Sequence, residues 1–222
     1  NLDAIAVTVG PGLIGSLLVG VETAKSLAYT WGKSVIPVNH LVAHLYANFV
    51  GSKGIPPRRS RQAPPSEEEL KIPEFPAIGL VVSGGHTDLV LMEGHGKLEL
   101  LGRTRDDAAG ECFDKGARIL GLPYPGGPAV SAEAAKFEAR NSKSETKLPR
   151  PLMYENTYDF SFSGLKTALQ RTSGEMMELA YELQEAIVEV LVAKVVKAVE
   201  EFKPKSVLLG GGVAANSRLR QL

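Results

Sequence analysis

The sequence predicts an α/β protein built as two lobes with mixed sheets. Three observations predict it. Short apolar runs alternate with longer segments of helical spacing, the pattern of strand–helix–strand units. Two runs in the middle, Asp88–Glu93 and Lys97–Gly102, flank the turn "GHG" at Gly94–Gly96 and read as a hairpin, so one sheet is not purely parallel. The stretch Ser52–Pro76 carries six of the 14 prolines and divides the chain into a part at 1–75 and a part at 76–222.

The elements follow in order. Asp3–Val9 reads as a buried strand. Leu13–Thr30 has helical spacing, with Leu17, Val21, Ala24 and Leu27 (or Ala28) able to share a face. Ser34–Val38 is a short strand and His40–Val50 a helix. Ser52–Pro76, with Arg58, Arg59, Arg61 and the acidic run Glu67–Glu69, reads as an exposed loop. The Arg cluster suits a phosphate backbone, and a solvated loop is the simpler reading. Ala77–Val82 restarts as a strand before the hairpin. Asp106 or Asp107 is expected to cap a helix to about Leu120, and "YPGGP" at Tyr124–Pro128 is a tight turn. Helices are expected at about Ala129–Arg140, Leu165–Arg171 and Glu175–Phe202. Lys205–Leu209 is a strand, followed by "GGG" and a final helix.

Bulk properties narrow the function classes. Lys plus Arg and Asp plus Glu are 25 each, so any nucleic-acid contact must come from a local patch or a partner. The single Cys112 excludes an internal disulfide and suits a reducing compartment. No apolar run is long enough to span a bilayer, and no secretory leader is evident. The chain begins on Asn1 in a strand-like run and stops at Leu222 in a helix-like one, as expected of a piece of a longer protein.

Six segments carry candidate chemistry. Gly10, Gly12 and Gly15 fit the dinucleotide pattern G-x-G-x-x-G. That pattern needs an acid at the end of the next strand, and Asn39 and His40 stand there instead. Pro11 also removes a backbone N–H, so the segment reads as a tight strand-to-helix turn. In "NHLVAH", His40 and His44 lie one helical turn apart, as a two-histidine metal clip requires. The pair reads equally as two ordinary helix histidines until a third ligand is found. Leu41 follows His40, so the H-E-x-x-H pattern of zinc peptidases is absent. "VVSGGHTD", Val81–Asp88, is either a cradle for phosphate or carboxylate or a plain hairpin turn. "LLGGGVAANSR", Leu208–Arg218, presents a glycine turn before a helix, where an anion is favoured and Asn216 can reach a sugar or base. Ser163 and Lys166 match S-x-x-K, but the companion signatures are absent, so Ser163 reads as a helix cap. Cys112 reads as a small buried residue rather than a nucleophile, and Asp107, Glu111 and Asp114 can line one side of a helix.

Together, "VGPGLIGSLLVG", "NHLVAH", "VVSGGHTDL", "DDAAGECFDKGARILGLPYPGGP", "FSFSGLKTAL" and "LLGGGVAANSRLR" resemble, in order, the TsaD family in its bacterial or organellar branch. That family makes threonylcarbamoyl-adenosine in tRNA and was once described as a glycoprotease. The resemblance covers nearly the whole chain except the Pro-rich loop. It implies an actin-like, sugar-kinase and chaperone-ATPase type of two-lobed fold with ligand between the lobes. It implies one divalent metal, iron or zinc, at His40 and His44, with the third ligand beyond Leu222. Substrate contacts are implied at Val81, Val82, Ser83, Gly84, Gly85, Asp114, Gly127 and Asn216. Ser131 stands where relatives often carry Asp. The implied substrates are threonylcarbamoyl-adenylate and tRNA. The implied partners are a paralogous subunit and an ATPase, with no membrane, in the cytoplasm or an organelle. The alternatives are a metallopeptidase, which lacks a Glu beside the histidines to activate water, and a nucleotide-binding module without chemistry.

Overall fold

The computed structural model describes residues 2–50, 72–140 and 143–222. The chain divides into two units, residues 1–70 and 71–222. Most of the Pro-rich stretch, with its Arg cluster and acidic run, lies outside the described residues.

The first unit is a parallel strand–helix–strand element followed by a short helix. Strand β1 (Ala4–Gly10) pairs in parallel with β2 (Ser34–Asn39), Ala4 opposite Ser34 and Thr8 opposite Val38. Helix α1 (Ile14–Trp31) connects them and ends on Gly32, whose φ of 60° lets its N–H turn back to the last carbonyls. The chain then enters α2 (His40–Tyr46), started by Asn39, whose side chain accepts from the N–H groups of Leu41 and Val42. The helix expected to reach Val50 stops sooner, at Tyr46, and a 3₁₀ turn, Ala47–Phe49, takes over.

The second unit is a four-stranded mixed sheet with helices packed on it. Strands β3 (Ala77–Val82), β4 (Thr87–Gly94) and β5 (Lys97–Arg103) form an antiparallel meander, and β6 (Ser206–Gly210) joins β3 in parallel, giving the order β5–β4–β3–β6. The hairpin at Gly94–Gly96 is therefore present. Its α-helices among the described residues are α3 (Ala109–Ile119), α4 (Gly126–Ala139), α5 (Ser163–Arg171), α6 (Met176–Phe202) and α7 (Ser217–Gln221). Ile78, Leu80, Val82, Leu89 and Leu91 from the sheet pack with Phe113, Phe160, Phe162, Leu183 and Ile187 in one apolar core. Gly116 lets α3 approach its neighbours: a Cβ there would lie 2.3 Å from a Leu183 methyl.

The described residues thus form an α/β fold that combines parallel and antiparallel strand pairs with helices. Among the described residues no helix is long and apolar enough to cross a membrane.

Two capping expectations change. Neither Asp106 nor Asp107 caps α3. Its start is held by Thr87, whose Oγ1 accepts from Ala109 N–H at 2.8 Å. Asp106 works more than 50 residues away instead. Its carboxylate accepts from the hydroxyls of Ser161 and Ser163 and from the N–H groups of Phe162 and Ser163, fixing the start of α5. Ser163 is thus held by a cap rather than being one. Burial works against charge on Asp106, but those four hydrogen bonds outweigh it and hold the carboxyl below its ordinary range. The depressed folded value means the stabilisation is complete above the ordinary carboxylate range and lost as pH falls through the folded value. Asp106→Ala is expected to cost about 1 kcal/mol at neutral pH. In urea unfolding, its deficit against the wild type should close under acid.

Candidate functional site

The substrate contacts implied by the sequence meet, in part, on one cavity of the second unit. It encloses about 450 Å³ and is lined by Gly84, Asp114, Gly127 and Asn216 together with Phe113, Tyr124, Ser131 and Val213, among others. Mostly apolar walls with a few convergent polar groups, at this size, suit a small ligand such as a nucleotide.

Each polar group has a local reason for its place. Asp114, at the middle of α3, accepts from Gly126 N–H through Oδ1 at 2.7 Å. That bond pins the "YPGGP" turn and starts α4 at Gly126, earlier than the sequence suggests. A Cβ on Gly126 would fall 2.6 Å from Asp114 Cα, so only glycine fits this approach. Gly127 is then the second residue of α4, its N–H without a partner among the described residues, at a helix start with no side-chain cap.

Asn216 caps α7 by accepting from Leu219 N–H through Oδ1. Its amide donates to Ser131 Oγ at 2.9 Å and to Gln184 Oε1 at 3.0 Å, and Ser131 Oγ donates to Gln184 Oε1 at 2.8 Å. Asn216 is thereby locked in orientation. Gln184 is a residue the sequence reading missed. Glu182 and Glu185 stand beside it in α6, so its polarity alone does not single it out in the sequence.

The glycine turn after β3 is a hairpin turn, and Ser83 organises it. Ser83 N–H donates to His86 carbonyl at 2.8 Å, and Ser83 Oγ accepts from His86 N–H at 3.1 Å and Gly85 N–H at 3.4 Å. Of the N–H groups of residues 83–85, that of Gly84 has no partner among the described residues, and Gly84 is the one of the three that lines the cavity. Val81 and Val82 are fully buried strand residues whose side chains do not line it. Asp88, further along the motif, is buried with Oδ2 unpartnered among the described residues. Burial pushes its carboxyl up against the pull of His86 and Arg103.

Tyr124 was also missed as a site residue. It lines the cavity while the residue is 84% exposed, an aromatic surface on which a base can stack. Cys112 lies nearby in sequence but points inward, its thiol toward the Phe162 carbonyl at 3.7 Å. Burial first, and then the negative Asp107, push that thiol up to about 12, so no thiolate is available for nucleophilic chemistry. Asp107 and Glu111 are both ion-paired with Lys115, at 2.7 and 2.9 Å, leaving Asp114 as the acid of that group that lines the cavity.

In the first unit, His40 and His44 stack with ring centroids 4.7 Å apart and planes 29° apart. His40 Nδ1 lies 3.3 Å from the Pro11 carbonyl. A carbonyl only accepts, so in the tautomer that makes this contact a hydrogen bond Nδ1 donates and Nε2 keeps its lone pair. The glycine turn of "VGPGLIGS" thus has a task in this unit: it presents Pro11 to the histidine pair. The two rings fit the donor set of a divalent ion. Among the described residues no group of three or more His, Cys, Asp or Glu gathers around a common point.

Mixed sheet, glycine turns and a cavity of this size describe an α/β protein with a candidate small-ligand site. Relatives narrow the class. The model of the family described as "TsaD: tRNA N6-adenosine threonylcarbamoyltransferase" matches residues 1–59 and 62–222. Proteins of that name are 48% identical in Thermomicrobium roseum, 49% in Dehalococcoides mccartyi and 50% in Symbiobacterium thermophilum. They align with 99%, 100% and 100% of this chain and 63%, 62% and 60% of their own lengths. The chain belongs to the TsaD family, and it spans about three fifths of the length of these relatives. A crystal structure of HypF from T. kodakarensis has the same fold over 100% of this chain and 36% of its own, with TM-score 0.59 and 16% identity.

Proposed function

We propose that the protein transfers the threonylcarbamoyl group of threonylcarbamoyl-adenylate to the exocyclic amine of the adenosine beside the anticodon of tRNA, releasing AMP. The observation that carries this reading is the convergence of Gly84, Asp114, Gly127 and Asn216 on one cavity in a chain of the TsaD family. The donor is a mixed anhydride. The amine nitrogen forms a bond to its carbamoyl carbon, the bond from that carbon to the phosphate oxygen breaks, and AMP leaves with the electron pair. The amine loses one proton to solvent.

The chain's own residues bind and orient. The adenosine half of the donor sits in the cavity, its base against Tyr124 and its ribose hydroxyls within reach of the free oxygen of Asp114. The N–H groups of Gly84 and Gly127 take phosphate charge. His40 and His44 would hold one divalent ion, iron or zinc, which would supply Lewis-acid chemistry. A paralogous subunit and an ATPase complete the assembly, in the cytoplasm or an organelle.

The test supplies threonylcarbamoyl-adenylate labelled in threonine, unmodified tRNA and the partner subunits to the complete protein. Label is expected in tRNA, and Asp114→Ala is expected to reduce it at least tenfold with AMP binding weakened in parallel. Folded protein with partners that transfers no label overturns the reading.

A further inference from the structure

We infer that the face where α3 meets α5 binds the phosphate backbone of the RNA acceptor, through Arg118, Lys166 and Lys115. This rests on the RNA-acceptor reading above and adds where the acceptor lies.

A cavity of about 390 Å³ on that face is lined by Lys115, Arg118, Ile119, Lys166 and Gln170, three cations and no acid. In a chain whose charges balance at 25 and 25, such a local excess is set against the bulk. Arg118 and Lys166 make no side-chain hydrogen bond or ion pair among the described residues, and both are exposed. Lys115 is already held by Asp107 and Glu111, so it supplies less free charge and a fixed position. Unpaired cations in a shallow groove are the groups that neutralise phosphates and release counterions.

The second argument is continuity. Lys115 and Arg118 also line a neighbouring cavity of about 520 Å³, together with Glu111, which pairs with Lys115, and with Asp114, Tyr124 and Gly126. Asp114 and Tyr124 in turn line the nucleotide-sized cavity. One surface therefore runs from the adenylate site to the cationic groove within a single unit. An acceptor whose backbone lies in the groove has its base side next to the donor. A free phosphate alone would not need this continuity, so the extended polyanion is the occupant that accounts for both observations.

The experiment measures unmodified tRNA binding to the complete protein across a salt series. It compares wild type, Arg118→Gln with Lys166→Gln, and a control pair, Lys97→Gln with Lys203→Gln, elsewhere on the unit. The groove variant is expected to bind RNA about tenfold more weakly at low salt. The slope of log affinity on log salt should be shallower by about 2, one per cation removed. AMP affinity should not change, and inorganic phosphate at the same ionic strength should compete no better than chloride. RNA affinity unchanged in the groove variant, or reduced equally in the control pair, overturns the inference while the transferase reading stands. Wild-type protein that binds no RNA overturns both.

Discussion

Gly110→Ala is expected to dismantle the nucleotide-sized cavity while adding only one methyl group. Gly110 lies in the first turn of α3, and its N–H donates to Ser83 carbonyl at 3.1 Å. A Cβ there would lie 2.5 Å from that same oxygen and 2.8 Å from both Cα and N of Gly84. All three obstacles are backbone, so no rotamer change relieves them. Either the Ser83–Gly85 turn or α3 must move. The first carries Gly84 and the second carries Asp114, so either movement separates the polar groups that converge on the cavity. Overpacking of this kind costs about 1–3 kcal/mol. AMP affinity is expected to fall at least tenfold in titration calorimetry. Gly127→Ala is the contrast, because a Cβ there meets nothing within 4 Å. It should leave the melting temperature nearly unchanged and weaken AMP only if phosphate approaches that backbone. A Gly110→Ala protein with wild-type stability and AMP affinity would refute the packing argument.

The second large effect is at the histidine pair. His40→Ala and His44→Ala, each alone, should lower both divalent-metal affinity and label transfer by about a hundredfold or more. The metal readout is equilibrium dialysis of the complete protein against zinc or iron(II), and it does not depend on turnover. His40→Ala removes a donor and also the contact to Pro11, so some loss of order in the turn after β1 is expected with it. Leu41→Ala, between the two, keeps both donors and should retain metal. Metal retained in both histidine variants would remove the clip from the account.

The strands and the central hairpin were legible because they rest on local patterns. Ala77–Val82 is an unbroken apolar run, and the structure buries every residue of it in the middle of the sheet. "GHG" supplies the turn, with Gly96 at a φ of 75°. The caps were less legible because they are made at long range. Asp106 precedes α3 in sequence, so local reasoning gives it to that helix. Its partners, Ser161 to Ser163, arrive only when the chain returns. The site shows the same division. Asp114, Gly127 and Asn216 stand in motifs. Gln184 stands in none, and only the packing of α4 and α7 on α6 gives it Ser131 and Asn216 as partners. Tyr124 was read as part of a turn, and its exposure beside the cavity is a property of the fold alone.

Helix α3 joins three contacts in nine residues: Gly110 against the glycine turn, Asp114 at the nucleotide-sized cavity, and Arg118 on the cationic face. Each step along an α-helix advances about 1.5 Å and rotates about 100°. Four steps separate each contact from the next, so the three lie about 6 Å apart along the axis, each turned about 40° from the last. Inserting or deleting a single residue between Gly110 and Arg118 would swing one group about a quarter-turn away from the others. Substitutions on the exposed side of α3 leave that alignment intact. The length of this helix is therefore under tighter constraint than the identity of its solvent-facing residues.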